Sequence, residues 1–320
     1  MTGTTYIRHR WTATAALDPP KGEFIMRIFV TGATGFLGTA IVHELINAGH
    51  QVLGLTRSEE GARSLASVGA EVHRGDIEDL DSLRRGAELA DGVIHTAFNH
   101  DFSKFLANCE ADRQAVEAMG STLHGSDRPF VITSVAMLGA SAHGRPAIED
   151  NFNPDQPNPR KVSEVAGVAL VQRGVNVSVV RLPQVHNPIK QGLISPMIEL
   201  ARKKGVSAYV DDGLNRWAAV HLSDAARLYI LALQKGVAGS RYHAVAEEGI
   251  PLRTIAEVIG RGLNVPVKSI AAADASAHFD WLGPFVGRDM PASSALTQER
   301  LAWRPTGPGL IADLEEMRYV

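Results

Sequence analysis

The sequence predicts an α/β protein, a doubly wound parallel sheet covered by helices on both faces, with a smaller C-terminal lobe. Three observations carry that prediction. Short β-rich runs alternate with segments of helical periodicity from Arg27 to about Leu182. Glycines fall where those helices should end. After Pro183 the alternation stops, and helical segments are separated by loops.

The order of elements follows from the pattern. Apolar runs at 27–31, 51–56, 70–74, 91–96, 129–134 and 175–182 read as buried parallel strands. Helical spacing occupies 36–48, 59–68, 79–88, 103–122 and 162–173. Gly49, Gly69, Gly125 and Gly174 stand at the helix ends, where positive φ is expected. The polar stretch 144–160, rich in Pro and Asn, is a loop. Beyond Pro183, helices are expected near 192–204, 222–235 and 252–262, and Tyr209 on a short strand. Residues 1–25 carry Arg8, Arg10, Lys21 and the Pro19-Pro20 break but no continuous apolar segment, so they read as a flexible extension. The expected organisation is therefore 1–25 as extension, 26–183 as main domain, and 184–320 as a lobe interleaved with it.

Bulk properties exclude several classes. A net charge of -3 over 320 residues leaves no electrostatic footprint for nucleic acid or an anionic membrane. The single cysteine, Cys109, rules out a disulfide framework and reads as buried filler. No apolar run approaches the roughly 18 residues of a membrane helix, so the cytoplasm is the expected compartment. No metal-ligand spacing is present, and Glu315-Glu316 reads as a solvated helix face.

One motif carries chemistry. Strand 27–31 runs into Thr31-Gly32-Ala33-Thr34-Gly35-Phe36-Leu37-Gly38 and then an amphipathic helix. Gly32 permits the tight turn, Gly35 lets backbone amides approach a pyrophosphate, and Gly38 allows close packing of the helix. The pyrophosphate then sits at the positive end of the helix dipole. This is a Rossmann dinucleotide loop in its confirming context. The second strand ends Leu55-Thr56-Arg57-Ser58, with no carboxylate where one would bond a ribose 2′-hydroxyl. Arg57 suits a 2′-phosphate, which points to NADP rather than NAD; a solvated surface arginine is the other reading.

From Met26 onward the chain resembles the extended short-chain dehydrogenase/reductase family, also called the NAD-dependent epimerase/dehydratase family. The marks are the Gly-x-x-Gly-x-x-Gly loop, Gly75-Asp76-Ile77, His95-Thr96-Ala97, Ile132-Thr133-Ser134, Arg181-Leu182-Pro183-Gln184-Val185-His186 and Val220-His221-Leu222-Ser223-Asp224-Ala225-Ala226. The resemblance implies that Asp76 and Ile77 hold the adenine. Thr96, Ala97 and Phe98 would line the cofactor's middle, and Pro183, Gln184, Val185 and His186 would lie near the nicotinamide. Asp224 is expected to cap the helix that follows it. Helices 103–122 and 162–173 imply a homodimer contact.

The family's chemistry uses a serine, a tyrosine as general acid/base and a lysine. Ser134 matches the serine, with a structural loop serine as the other reading. The Tyr-x-x-x-Lys pair is missing: 144–170 contains no tyrosine, and the register puts Gln156 and Arg160 at the two positions. Neither exchanges a proton near neutral pH, and Lys161 is one step off. Arg160 is left to hold the cofactor ribose or a substrate anion. His186 is the expected replacement donor, ahead of His143, His221 and Tyr209; it reads equally well as a solvated loop histidine. Trp217, Trp281 and Phe285 are expected either to wall an apolar substrate pocket, with Gln184 nearby, or to pack the lobe itself. Two functions follow: an NADP(H)-dependent oxidoreductase on a small carbonyl or alcohol, or an NADP(H)-binding redox sensor or regulatory protein without turnover.

Overall fold

The structure, a computed structural model, describes residues 25–141 and 144–319. Most of the expected extension, and His143, lie outside the described residues. The first half alternates strand and helix: β1 (Arg27–Thr31), α1 (Phe36–Asn47), β2 (Gln51–Thr56), α2 (Glu59–Ser67), β3 (Glu71–Arg74) and α3 (Leu80–Glu88). It continues with β4 (Gly92–His95), α4 (Phe105–Thr122), β5 (Phe130–Val135), α5 (Lys161–Gln172) and β6 (Val177–Leu182). These bounds match the periodicity to within about two residues. Gly49 and Gly174, at two of the expected helix ends, have φ of +84° and +81°.

The second half is β7 (Gln184–His186), α6 (Ile194–Lys204), β8 (Ser207–Val210), β9 (Arg216–His221), α7 (Leu222–Lys235) and β10 (Arg241–His243). Then come β11 (Glu247–Pro251), α8 (Leu252–Leu263), β12 (Val267–Ile270), α9 (Ala275–Phe279), α10 (Gly283–Val286), α11 (Ala295–Leu301) and α12 (Leu310–Glu316).

The main sheet has seven strands in the order β10-β6-β5-β4-β1-β2-β3, all paired parallel. Alternation along β1 assigns its faces. Ile28 and Val30 pack with Ile41 and Leu45 of α1 and Leu228 and Tyr229 of α7, whereas Phe29 packs with Leu83 of α3 and Val116 of α4. The chain thus leaves the main domain at Pro183 and returns to it for α7 and β10. The smaller lobe holds a three-stranded sheet, β11-β9-β7, a β12-β8 pair, and a core of Trp217, Ile198, Ile255, Phe279 and Leu314. No described helix is long and apolar enough to cross a membrane.

The loop before α5 is tied down rather than loose. Arg181 donates to the carbonyls of Glu149 and Asn151 at 3.3 and 3.0 Å, and Glu149 accepts from the Thr297 amide at 2.8 Å. Asp224 does not cap α7. His221 does, accepting from the Ser223 amide, while the buried Asp224 carboxylate accepts from the amides of Thr306 and Gly307 and pins the C-terminal segment. Cys109 is buried and free.

Candidate active site

A continuous cleft of about 1120 Å³ runs along the carboxyl ends of β1, β2, β4 and β5 and under the smaller lobe. The glycine loop forms one wall. Gly32 has φ +68°, and a Cβ there would lie 2.7 Å from the Ala97 amide nitrogen. A Cβ on Gly38 would stand 1.9 Å from the Gly32 carbonyl oxygen, so this glycine lets the loop fold back on the first turn of α1. Gly35 is the N-cap of α1 and offers no side-chain acceptor, and the first turn has no acidic residue. Its amides therefore remain available to an anion. This cradle fits a dinucleotide pyrophosphate. Thr34, Gly35, Phe36, Leu37 and Gly38 line the cleft, but Thr31 does not. Thr31 is fully buried: its Oγ1 bonds His95 Nδ1 at 2.6 Å and accepts from the Ala97 amide at 3.3 Å. It supports the loop rather than touching a ligand.

Arg57, Ser58, Asp76 and Ile77 line the outer end of the cleft. The Arg57 side chain is 82% exposed and 3.2 Å from Asp76. Ser58 spends its hydroxyl capping α2, accepting from the Gly61 amide at 3.0 Å.

Deeper in, a buried polar network joins four strands and helices. His95 Nε2 donates to Asp112 Oδ1 at 3.1 Å, and Asp112 Oδ2 accepts from Arg160 at 2.8 Å and from the Ser163 hydroxyl. Burial pushes the Asp112 carboxyl up, but Arg160, His95 and Ser163 outweigh it and hold it well below the usual carboxylate range. Arg160 also donates to the Thr133 carbonyl at 3.1 Å and lies 4.2 Å over the Phe98 ring. The lysine position of the expected motif therefore carries a fixed, paired guanidinium on the cleft wall. Gln156 sits in the turn before α5 and does not line the cleft. Among the described residues no tyrosine lines it either. Tyr229, the phenol nearest this network, is fully buried against Thr133, and burial pushes its pKa up.

Ser134 lines the cleft at the end of β5, and its buried hydroxyl has no hydrogen-bond partner of good geometry. It lies beside Glu164. Burial pushes that carboxyl up, yet Arg181, Ser134 and Arg241 together hold it below its ordinary value. Thr96, Ala97, Phe98, Pro183, Gln184 and Val185 also line the cleft; Gln184 anchors the next loop by accepting from the Leu193 amide at 2.8 Å.

His186 is a correction. It is fully buried, does not line the cleft, and bonds Asp313 through Nδ1 at 2.6 Å. Burial pushes its pKa down even though Asp313 favours the cation. It is neither solvated nor open to a nicotinamide. His221 caps α7, and Tyr209 is absent from the cleft. Trp217 reaches the cleft wall but is itself buried in the core of the smaller lobe, so packing is its main role. Trp281 and Phe285 do face the cleft, where Phe102 stacks on Trp281 at 4.5 Å and 13°.

Sequence reasoning missed His100, Phe102, Phe105, Asn158 and Lys190, all of which line the cleft. His100 is its imidazole among the described residues. Burial, with Lys190 and Arg160 nearby, pushes the His100 pKa down. The run Phe98–Phe105, with three phenylalanines directly after β4, was a readable signal for the aromatic wall.

Sheet order and phosphate cradle together define a dinucleotide-binding protein of Rossmann type. The NAD dependent epimerase/dehydratase family model matches residues 28–245, and the chain belongs to that family. An uncharacterized protein of Schizosaccharomyces pombe is 47% identical over 92% of this chain and 100% of its own length. Another from Saccharomyces cerevisiae is 44% identical over 90% of this chain and 98% of its own. A dTDP-glucose 4,6-dehydratase structure from Streptomyces venezuelae shares the fold, with a TM-score of 0.73 at 20% identity over 92% of this chain and 96% of that one.

Proposed function

We propose that the protein is an NADP(H)-dependent oxidoreductase that interconverts a small carbonyl compound and its alcohol. The observation that carries this reading is the cleft itself, which runs from the phosphate cradle to a region lined by Ser134 and the His100 imidazole. When bound, the nicotinamide supplies a hydride to the carbonyl carbon or takes one from the alcohol carbon. The chain's own groups do the rest. Ser134 Oγ holds the substrate oxygen at the end of β5. Arg160, locked by Asp112, walls the site with a charge that does not titrate. His100 exchanges the proton with the substrate oxygen, in place of a tyrosine. Its depressed pKa makes it chiefly a base at neutral pH, which suits alcohol oxidation; carbonyl reduction gains as the ring protonates below about 6.5.

Arg57 supports NADP over NAD, because no carboxylate follows β2 before Glu59 and the guanidinium is exposed at the adenosine end. Epimerase or dehydratase chemistry is disfavoured by the lack of a tyrosine on the described cleft wall. A homodimer through α4 and α5 is supported by Leu106 and Val165, apolar side chains exposed on those helices.

One observation favours a second reading, a redox sensor without turnover: Arg160 at the lysine position is held by Asp112, Ser163 and Thr133. The deciding experiment follows stereospecific hydride transfer from labelled NADPH to a panel of aldehydes and ketones. Transfer supports the oxidoreductase; tight NADPH binding with no transfer across the panel supports the sensor.

A further inference from the structure

The carboxylates lining the cleft are confined to one end, where Arg57 pairs with one of them. Asp76 and Glu78 both follow β3, at the edge of the main sheet. On the opposite side, toward β5 and β6, the lining carries Arg160, Lys190 and His100 and no acid. Arg160 is neutralised by Asp112. Lys190 has no such partner: among the described residues no carboxylate lies within 4.0 Å of its ammonium, which stands 5.7 Å from the centre of the Phe36 ring.

The same chamber is walled by aromatic rings from both lobes. His100 meets Phe98 and Phe102 edge-on at 5.4 and 6.3 Å, and Phe102 is stacked on Trp281, with Phe285 6.2 Å away. Lys190 lines the same cleft as these rings. Flat rings reward a flat ring with stacking contact beyond area burial. An ammonium without a carboxylate partner on a cleft wall offers an anion a charge-assisted contact.

We propose that the inner chamber takes aromatic carbonyl compounds carrying an anionic group, the ring packed on the Phe102–Trp281 wall and the anion held by Lys190. The proposal rests on the oxidoreductase reading for what is done to the carbonyl, but not for what is bound. Phe36 opens α1, so Lys190 also stands near the phosphate cradle, and the experiment must separate the two anions.

The probes are the three formylbenzoates, their methyl esters and the cyclohexane analogues of the acids, each assayed for NADPH-dependent reduction. The corresponding hydroxymethyl acids and esters are titrated calorimetrically into the NADP-saturated full chain, which reads binding whether or not turnover occurs. At least one aromatic acid should be favoured over its ester by about tenfold or more in binding, as expected for a charge-assisted contact. Lys190→Met should abolish that preference with NADPH affinity unchanged, and Trp281→Leu should erase the preference for the aromatic over the cyclohexane acid. Both residues are exposed, so both variants should fold. Equal binding of acids and esters, or no binding of any probe, would overturn the proposal. So would a Lys190→Met variant that loses NADPH affinity but keeps the acid preference, since Lys190 would then serve the cofactor's phosphates. Selective binding of the acids without turnover would uphold the proposal while refuting the oxidoreductase reading.

Discussion

Ser134 and Arg57 occupy opposite ends of the cleft, and the physical demands on them differ. Ser134 lines the cleft at the end of β5, with its buried hydroxyl beside the Glu164 carboxylate that it helps to stabilise. Ser134→Ala should lower kcat/KM by about a hundredfold while leaving NADPH affinity intact, as measured by steady-state kinetics beside a binding titration. Arg57 is exposed and held only by Asp76. Arg57→Ala should raise the Kd for NADPH by about ten- to a hundredfold, the worth of charge-assisted hydrogen bonds to a phosphate, and leave the NADH Kd unchanged. Fluorescence titration with both cofactors reads the difference. His100 carries the pH dependence. Its folded pKa lies below 6.5, so alcohol oxidation should rise with pH through that region and carbonyl reduction should fall. In His100→Gln both profiles should flatten, with rates down about a hundredfold. That Ser134 and Arg57 line the cleft was readable in the sequence, because each stands at a fixed offset from a strand end. His186 was misread because its ring is claimed by Asp313, 127 residues away, a partner that no local pattern announces.

At the scale of elements, the β1–α1 unit is the part most completely dictated by its residues. Apolar alternation fixes β1 in the sheet, and Gly32 and Gly38 allow the turn to close on itself. A methyl at Gly38 would overlap a backbone oxygen, which cannot swing aside as a side chain can. Gly38→Ala should therefore weaken NADPH binding by about tenfold or more, in line with a local overpacking cost of about 1–3 kcal/mol. Isothermal titration against the unmodified chain checks it, with far-UV circular dichroism to confirm that the sheet persists. The stretch before α5 shows the opposite relation. Its sequence reads only as a loop, yet Arg181, Glu149 and Asp150 bind it into the molecule through Thr297, Arg300 and its own carbonyls. Those contacts span up to 150 residues, so composition gave the element but not its rigidity. Strands β7 and β10, three residues each, are too short for alternation to show.

Across the whole molecule, His243 joins the edge of the main sheet to the C-terminal segment. Nδ1 donates to the Ser293 carbonyl at 2.8 Å, and Nε2 faces the Arg181 guanidinium at 3.2 Å. Only the neutral ring satisfies both, and burial followed by Arg181 pushes its pKa down to about 4. The unfolded ring titrates near 6.5, so the unfolded chain takes up the proton first as pH falls. Stability should be full above about 6.5 and drop by about 3 kcal/mol by pH 4, and His186, depressed in the same direction, adds to the loss. Urea unfolding midpoints across that range check it, and His243→Gln should flatten the curve. The sequence by itself determined the alternating sheet, the cofactor cradle and the family, because each depends on short-range spacing of apolar residues and glycines. Only the tertiary structure decided which side chains meet in the cleft. His100 and Phe102, Lys190, and Trp281 come from three segments separated by dozens to well over a hundred positions, and their meeting depends on how the smaller lobe folds back over the sheet. That is long-range packing, which local periodicity does not encode.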